Sequence, residues 1–229
     1  IRDEFGAKQE WVFSLGAWGG SVVYGFDHSV ENKPGKYSLG IPGNAFSSYV
    51  GVDEEGEEEV FGWFEPGTVW VMQDENGNGL PDDTWYELAG SETNNPRTIQ
   101  RYAAAYTQGN LVIDHTGSTA ETFPYSTYYG GDFGFPQEPG ADVIYCGTRL
   151  GDRLVDKGGT LYTTMPKWGY VDCGGPYFRI SDAIQQDGSP ANLDYIDFVR
   201  VQTAVLKIAG ALGEFCTETG IGFDYSMDH

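Results

Sequence analysis

The segment Asp74 to Asp83, DENGNGLPDD, carries oxygen side chains at the spacing a hard cation requires. Calcium takes about six to eight oxygens at about 2.3–2.6 Å, so its loop must turn sharply while aiming alternate side chains inward. Asp74, Asn76 and Asn78 stand at loop positions one, three and five, and Gly79 supplies the turn at six. Leu80 offers its backbone carbonyl at seven, and Asp82 falls at nine. At twelve the pattern breaks, because Trp85 stands where a bidentate Glu would close the shell. Asp83, or a carboxylate from elsewhere such as Glu87 or Glu92, has to take that place. An Asx-rich hairpin turn that binds nothing is the competing reading. Strands flank the loop on both sides, which points to a structural ion and away from a sensor that opens. Calcium is scarce in cytosol, so the site favours an extracellular address.

Other chemistry is harder to place. The histidines are His28, His115 and His229, and no GxSxG or comparable nucleophile setting accompanies them. His28, in GFDHS, follows a strand and either faces a ligand or caps the strand end by hydrogen bonding. GAWGGS (16–21) leads into a strand and lacks a Walker lysine, so it is no phosphate loop. Paired carboxylates for glycoside hydrolysis are too easily found among 34 acids for any pair to be informative. The residues therefore point to a binding domain and away from an enzyme. Aromatic side chains in loops, namely Tyr125, Tyr128, Tyr129, Phe133 and Trp168, could form a flat platform for a ring-shaped ligand; core packing is the competing reading of each.

The elements that must hold these groups read as strands. SVVYGFD (21–27), TVWVMQ (68–73) and IDFVRVQTA (196–204) alternate with period two, and further strand candidates cover 12–15, 85–88, 99–106, 110–114, 143–148 and 160–164. In the 196–204 run Ile196, Phe198, Arg200 and Gln202 share one face. Clusters such as ENKPGK, EPG, NNP, DKGG and DGSP punctuate the runs. Two short helices are expected, around Ser181 to Gln186 and Val205 to Leu212. The acidic run Asp53 to Glu59 reads as a solvated loop. The pattern predicts an all-β chain, one β-sandwich or jelly-roll domain over 1–229 with long loops.

Composition agrees. The 33 Gly, 15 Tyr, 13 Phe and 6 Trp suit short strands and tight turns. A formal charge of −21, from 34 acids against 13 bases, repels nucleic acid and anionic headgroups. No apolar stretch approaches the ~20 residues of a membrane span. Cys146, Cys173 and Cys216 form no disulfide framework or zinc pair, leaving one bridge or buried small hydrophobes as the readings.

The succession LGAWGGSVVYGFDHSVEN (15–32), IPGNAF (41–46), EPGTVWVMQDENGNGLPDDTWYELAGSE (65–92), IDFVRVQTAV (196–205) and LGEFCTE (212–218) resembles a family of surface lipoproteins of gut commensal bacteria. Members often carry an Ig-like or PKD-like domain ahead of this one. Their genes commonly lie beside TonB-dependent transport systems, including those for vitamin B12. The resemblance implies the C-terminal part of a lipid-anchored outer-membrane protein that captures a nutrient, best named as a corrinoid such as cobalamin, for a transporter. A calcium-stabilised carbohydrate-binding module, a glycan-active hydrolase and a passive adhesion domain are the alternatives.

Overall fold

β-Branched and aromatic runs separated by Gly/Pro turns become antiparallel strands throughout. The computed structural model describes residues 12–16, 19–53, 55–107, 111–114, 143–207 and 215–226. Its central sheet has the order Ala183–Ile184, Trp85–Leu88, Gly67–Met72, Tyr195–Thr203, Ser21–Glu31. A four-stranded sheet runs Leu154–Lys157, Thr160–Thr164, Glu58–Trp63, Phe46–Val52, and a three-stranded sheet runs Val143–Arg149, Ile99–Thr107, Leu111–Asp114. Small ladders join Leu39–Gly40 to Tyr177–Phe178 and Phe223–Asp224, and Phe13–Ser14 to Glu218–Thr219. The chain is all-β and sandwich-like, as its alternation predicts. No helix among the described residues is long and apolar enough to cross a membrane.

Both faces of the central sheet are covered, but with different chemistry. One face carries the main apolar core, where Val30, Val69, Val71, Ile196, Val199 and Val201 are fully buried together. The other carries Thr68, Trp70, Glu87, Arg200 and Gln202, under the three-stranded sheet. Strict alternation places Ile196 with Arg200 and Gln202; the structure does not. The pairing to Ser21–Glu31 jumps from Ile196↔Val30 to Phe198↔Gly25, and this irregularity turns Ile196 over to the core face.

Two further expectations change. Instead of a helix over 181–186 there is one 3₁₀ turn, Ile180–Asp182, followed directly by the strand Ala183–Ile184. Ala183 pairs with Leu88, and that sheet edge outcompetes a six-residue helix with no side-chain cap. Residues 204–207 are not helical, and the rest of the second expected helix lies outside the described residues. The acidic run is only half a loop. Asp53 accepts the backbone N–H of Glu55 and Glu57 at 3.0 and 2.8 Å to close a turn, and Glu58 and Glu59 already belong to the next strand.

Glu59 is held by Arg153, which also bonds Glu92, at 3.0 and 3.1 Å, and donates through Nε to the carbonyl and hydroxyl of Thr164. One guanidinium thus joins the four-stranded sheet to the loop after Trp85–Leu88. Its removal strands two largely buried carboxylates, so Arg153→Ala should cost about 3 kcal/mol in denaturant unfolding. Lys207→Ala removes an exposed contact to Asp152 at 4.0 Å and should cost under about 0.5 kcal/mol.

Candidate functional site

The loop after Gly67–Met72 is closed by its own side chains. Asp74 accepts the N–H of Gly77 (2.8 Å) and Asn78 (3.2 Å) on one oxygen and of Gly79 (2.8 Å) on the other. Gly77 and Gly79 adopt φ of +67° and +73°, conformations the turn demands and a β-carbon would strain. Asn76 and Asn78 each accept a backbone N–H two residues on, from Asn78 (3.0 Å) and Leu80 (2.7 Å). Both amide groups then point their NH₂ at Asp82, at 3.0–3.2 Å, and this holds the Asp82 carboxyl below the usual carboxylate range. Asp83 turns inward to accept from Glu75 (2.9 Å) and Asn76 (3.3 Å). The Leu80 carbonyl accepts from Asp82 N–H at 2.9 Å, while its side chain is exposed.

Asp74, Asn76, Asn78, Asp82 and Asp83 therefore gather around one turn; the residue types suit calcium, but the Asn76 and Asn78 amides face Asp82 with NH₂ and would have to turn their oxygens to ligate an ion. The fit relies on amides as well as acids, since among the described residues no three His, Cys, Asp or Glu side chains cluster as metal ligands. Glu87 and Glu92 do not join the loop. Glu87 accepts from Thr148 and Glu92 pairs with Arg153, each on a different sheet connection. The residue the sequence did not reveal is Asp197, whose carboxylate accepts Asp74 N–H (2.8 Å) and Ser29 hydroxyl (2.6 Å), fastening the loop to the sheet. Its only signal is an acid within a strand-patterned run.

His28 is a brace within the strand it belongs to, Ser21–Glu31. Its Nδ1 contacts Asp27 at 2.6 Å and its Nε2 contacts Asp224 at 3.2 Å, and these two carboxylates raise its pKa. Asp224 in turn accepts the N–H and hydroxyl of Ser226. Tyr125, Tyr128, Tyr129 and Phe133 lie outside the described residues.

Trp168 stands at the rim of a groove of about 910 Å³, half exposed, with Tyr37, Tyr49 and Tyr177 also lining it. Its backbone is fixed. Ser91 donates its N–H to the Trp168 carbonyl and accepts the Lys167 N–H, both at 3.0 Å. Gly169, at φ +91°, packs so tightly on Gly90 that a β-carbon would sit 2.5 Å from its Cα. Tyr177 lies 5.9 Å from Tyr37 and 4.2 Å from Tyr225, giving a second aromatic wall. Sequence reasoning passed over Tyr37 and Tyr177 because neither sits in an alternating run.

Buried acids surround these features. Burial lifts Glu65 to about 7, against the N–H of Cys216 it accepts, and neighbouring Asp172 and Glu218 push it the same way. Burial lifts Asp172 to about 6 although it accepts N–H groups from Asn44 (2.8 Å) and Glu218 (3.1 Å). Glu87 rises to about 7 for the same reason. All three thiols are free; Cys173 is buried, but Cys146 is exposed and so departs from the buried reading.

These raised values have a direction in pH. The folded chain keeps protons on Glu65, Glu87 and Asp172 that the unfolded chain releases near pH ~4, so their contribution is full below that and falls until about pH 7. His28, raised from about 6.5 by its two carboxylates, adds stability that is full below that value and is lost as pH rises above it. The melting temperature should therefore drop as pH rises from about 4 to about 7, and a Glu65→Gln/Glu87→Gln double variant should flatten the drop. A curve equally steep in the variant would contradict the assignment. No family model matches the chain, and a search of curated proteins returns no match.

Proposed function

We propose that the chain is a non-enzymatic cell-surface domain that captures a nutrient with a flat or apolar face, best named as a corrinoid, and presents it to an outer-membrane transporter. What supports this is the groove at Trp168. The backbone that carries Trp168 is held by hydrogen bonds and a tight glycine contact, so the half-exposed indole is presented from a fixed support. About 910 Å³ accommodates one face of a large ring, and Ser47, Ser48 and Lys167, which line the groove, supply polar partners for amide groups. The surface lipoproteins that the sequence resembles supply the corrinoid and the membrane anchor.

Calorimetry against cobalamin, cobinamide and a polysaccharide panel tests it. Cobalamin should bind at about 1 μM or tighter, and Trp168→Ala should weaken it about tenfold. No cobalamin binding would sink the corrinoid assignment; glycan binding without turnover would transfer it to a carbohydrate module, and product formation to a hydrolase.

In the same reading the 74–83 loop holds a structural calcium through Asp74, Asn76, Asn78, Asp82, Asp83 and the Leu80 carbonyl. Its role is to neutralise three carboxylates on one turn and stiffen it. Saturating calcium should raise the melting temperature by about 5 °C or more, with chelation reversing it. Asp82→Ala should abolish the response with little other damage, because Asp82 accepts only from two exposed amides. A melting curve indifferent to calcium and chelator would refute the ion.

A further inference from the structure

A second cleft, of about 830 Å³, opens between the polar face of the central sheet and the three-stranded sheet. Arg200, on the Tyr195–Thr203 strand, lines it. The guanidinium carbon lies 4.7 Å from the Trp70 ring centroid and 5.4 Å from that of Trp85, within cation–π range of both indoles. Arg200 has no ion-pair partner among the described residues, and its buried Nε lacks a hydrogen-bond partner. The nearest acid, Glu87, is bound instead by the Thr148 hydroxyl, and burial keeps it substantially protonated near neutral pH. The cation is thus left with its charge largely uncompensated at the cleft wall. A partly buried charge in that condition is costly, and such a cost is sustained most readily where a ligand supplies the counter-charge.

The opposite wall adds a second cation by a distortion of the backbone. Tyr102 pairs with Gly147 and Ile99 with Arg149, so the Ile99–Thr107 strand carries one residue more than its partner between those points. The surplus falls at Gln100 and Arg101, and Arg101 takes a φ of +54°. A non-glycine residue in that region is strained, and bulges of this kind re-aim a side chain beside a site. Arg101 lines the cleft and is exposed. Arg149 lies above the Tyr102 ring, 5.2 Å from its centroid. Two of the chain's 13 basic residues, Arg101 and Arg200, line one cleft in a molecule of charge −21. The acid at the rim, Asp187, is already bound by the N–H and hydroxyl of Ser189 at 2.9 and 2.6 Å.

We infer that this cleft is a binding site for a small molecule carrying a carboxylate or phosphate, with the partly buried Arg200 as the anchor and Arg101 as the cation at its mouth. The planar fork of a guanidinium matches either oxyanion bidentately. The body of the ligand would lie against Gln100, Gln185 and Ser189, which offer neutral hydrogen-bonding groups. This site is independent of the Trp168 groove, and neither stands or falls with the other.

Three probes that share a sugar ring separate the charge from the body: glucose, glucuronate and glucose 6-phosphate. Titrations of the intact chain are followed by calorimetry and tryptophan fluorescence, since Trp70 and Trp85 flank the anchor. Glucuronate or glucose 6-phosphate should bind with a dissociation constant below about 10 mM and weaken with added salt, while glucose should not bind. Arg101→Gln should weaken that binding about tenfold, and Arg200→Gln should abolish it. If Arg200→Gln proves unfolded by circular dichroism, the exposed Arg101 variant decides alone. Equal binding of glucose and the two anions, binding unchanged in Arg101→Gln, or no anion binding at about 50 mM would overturn the site. Trp168→Ala should leave the anion titration unaltered.

Discussion

Arg153 is the contact on which the rest of the architecture leans. It spans from Glu59 in the four-stranded sheet to Glu92 in the loop after Trp85–Leu88, and it also takes the carbonyl of Thr164. Glu92 fixes that loop further through Asn95 and through the Thr98 hydroxyl bonded to its carbonyl. The adjacent Ser91 is what holds Trp168 and Lys167 in place. The position of the one exposed tryptophan among the described residues therefore traces back to a guanidinium shared by two acids. The pairing is worth keeping because both carboxylates are largely withdrawn from water, where an unpaired charge costs several kcal/mol (roughly 3–5).

An acid excess this large has to be absorbed without helices. Helix N-termini, the usual receptors for carboxylates, are absent among the described residues apart from one 3₁₀ turn. The chain uses backbone N–H groups of turns instead. Asp53, Asp74, Asp83, Asp172 and Asp187 each accept one or more of them, and so satisfy donors that no sheet partner reaches. Glu65 and Glu87, which are buried where fewer donors are available, hold their protons. Pairing, capping and protonation are three answers to one constraint, and burial with the local supply of N–H groups decides which applies.

The parts of the fold that were legible in the sequence are those governed by period two. Trp85–Leu88 and Thr160–Thr164 appear with the bounds their patterns predict, and the long strands agree to within a few residues. The missed strands fail that test for physical reasons. Phe46–Val52 is exposed along most of its length, so burial imposes no alternation on it, and Glu58–Trp63 begins inside an acidic run. The two-residue ladders at 39–40, 177–178 and 223–224 are too short to show any period. In the loop, the residues at 74, 76, 78 and 82 were readable because their spacing is local. The anchor at Asp197, 123 residues from Asp74, follows only from the sheet pairing.

The same distinction explains why the Arg200 cleft was invisible in sequence. The mixed faces of IDFVRVQTA suggest a strand that contacts protein on both sides over part of its length, but only the pairing of distant strands shows that the three-stranded sheet lies over Arg200 and partly buries it. Long-range electrostatics argue against anions near a chain of −21, yet the range matters more than the sum. At physiological ionic strength fields decay over about 8 Å, so the distant acids are mostly screened. Inside a cleft of about 830 Å³ the nearest charges count most, and there Arg200, flanked by two indoles, and Arg101 on its bulge outnumber the ionised Asp187 at the rim. A protonated Glu87 subtracts little from them. The local potential can therefore be opposite in sign to the molecule's own, which is what lets an acidic protein offer a place to an anion.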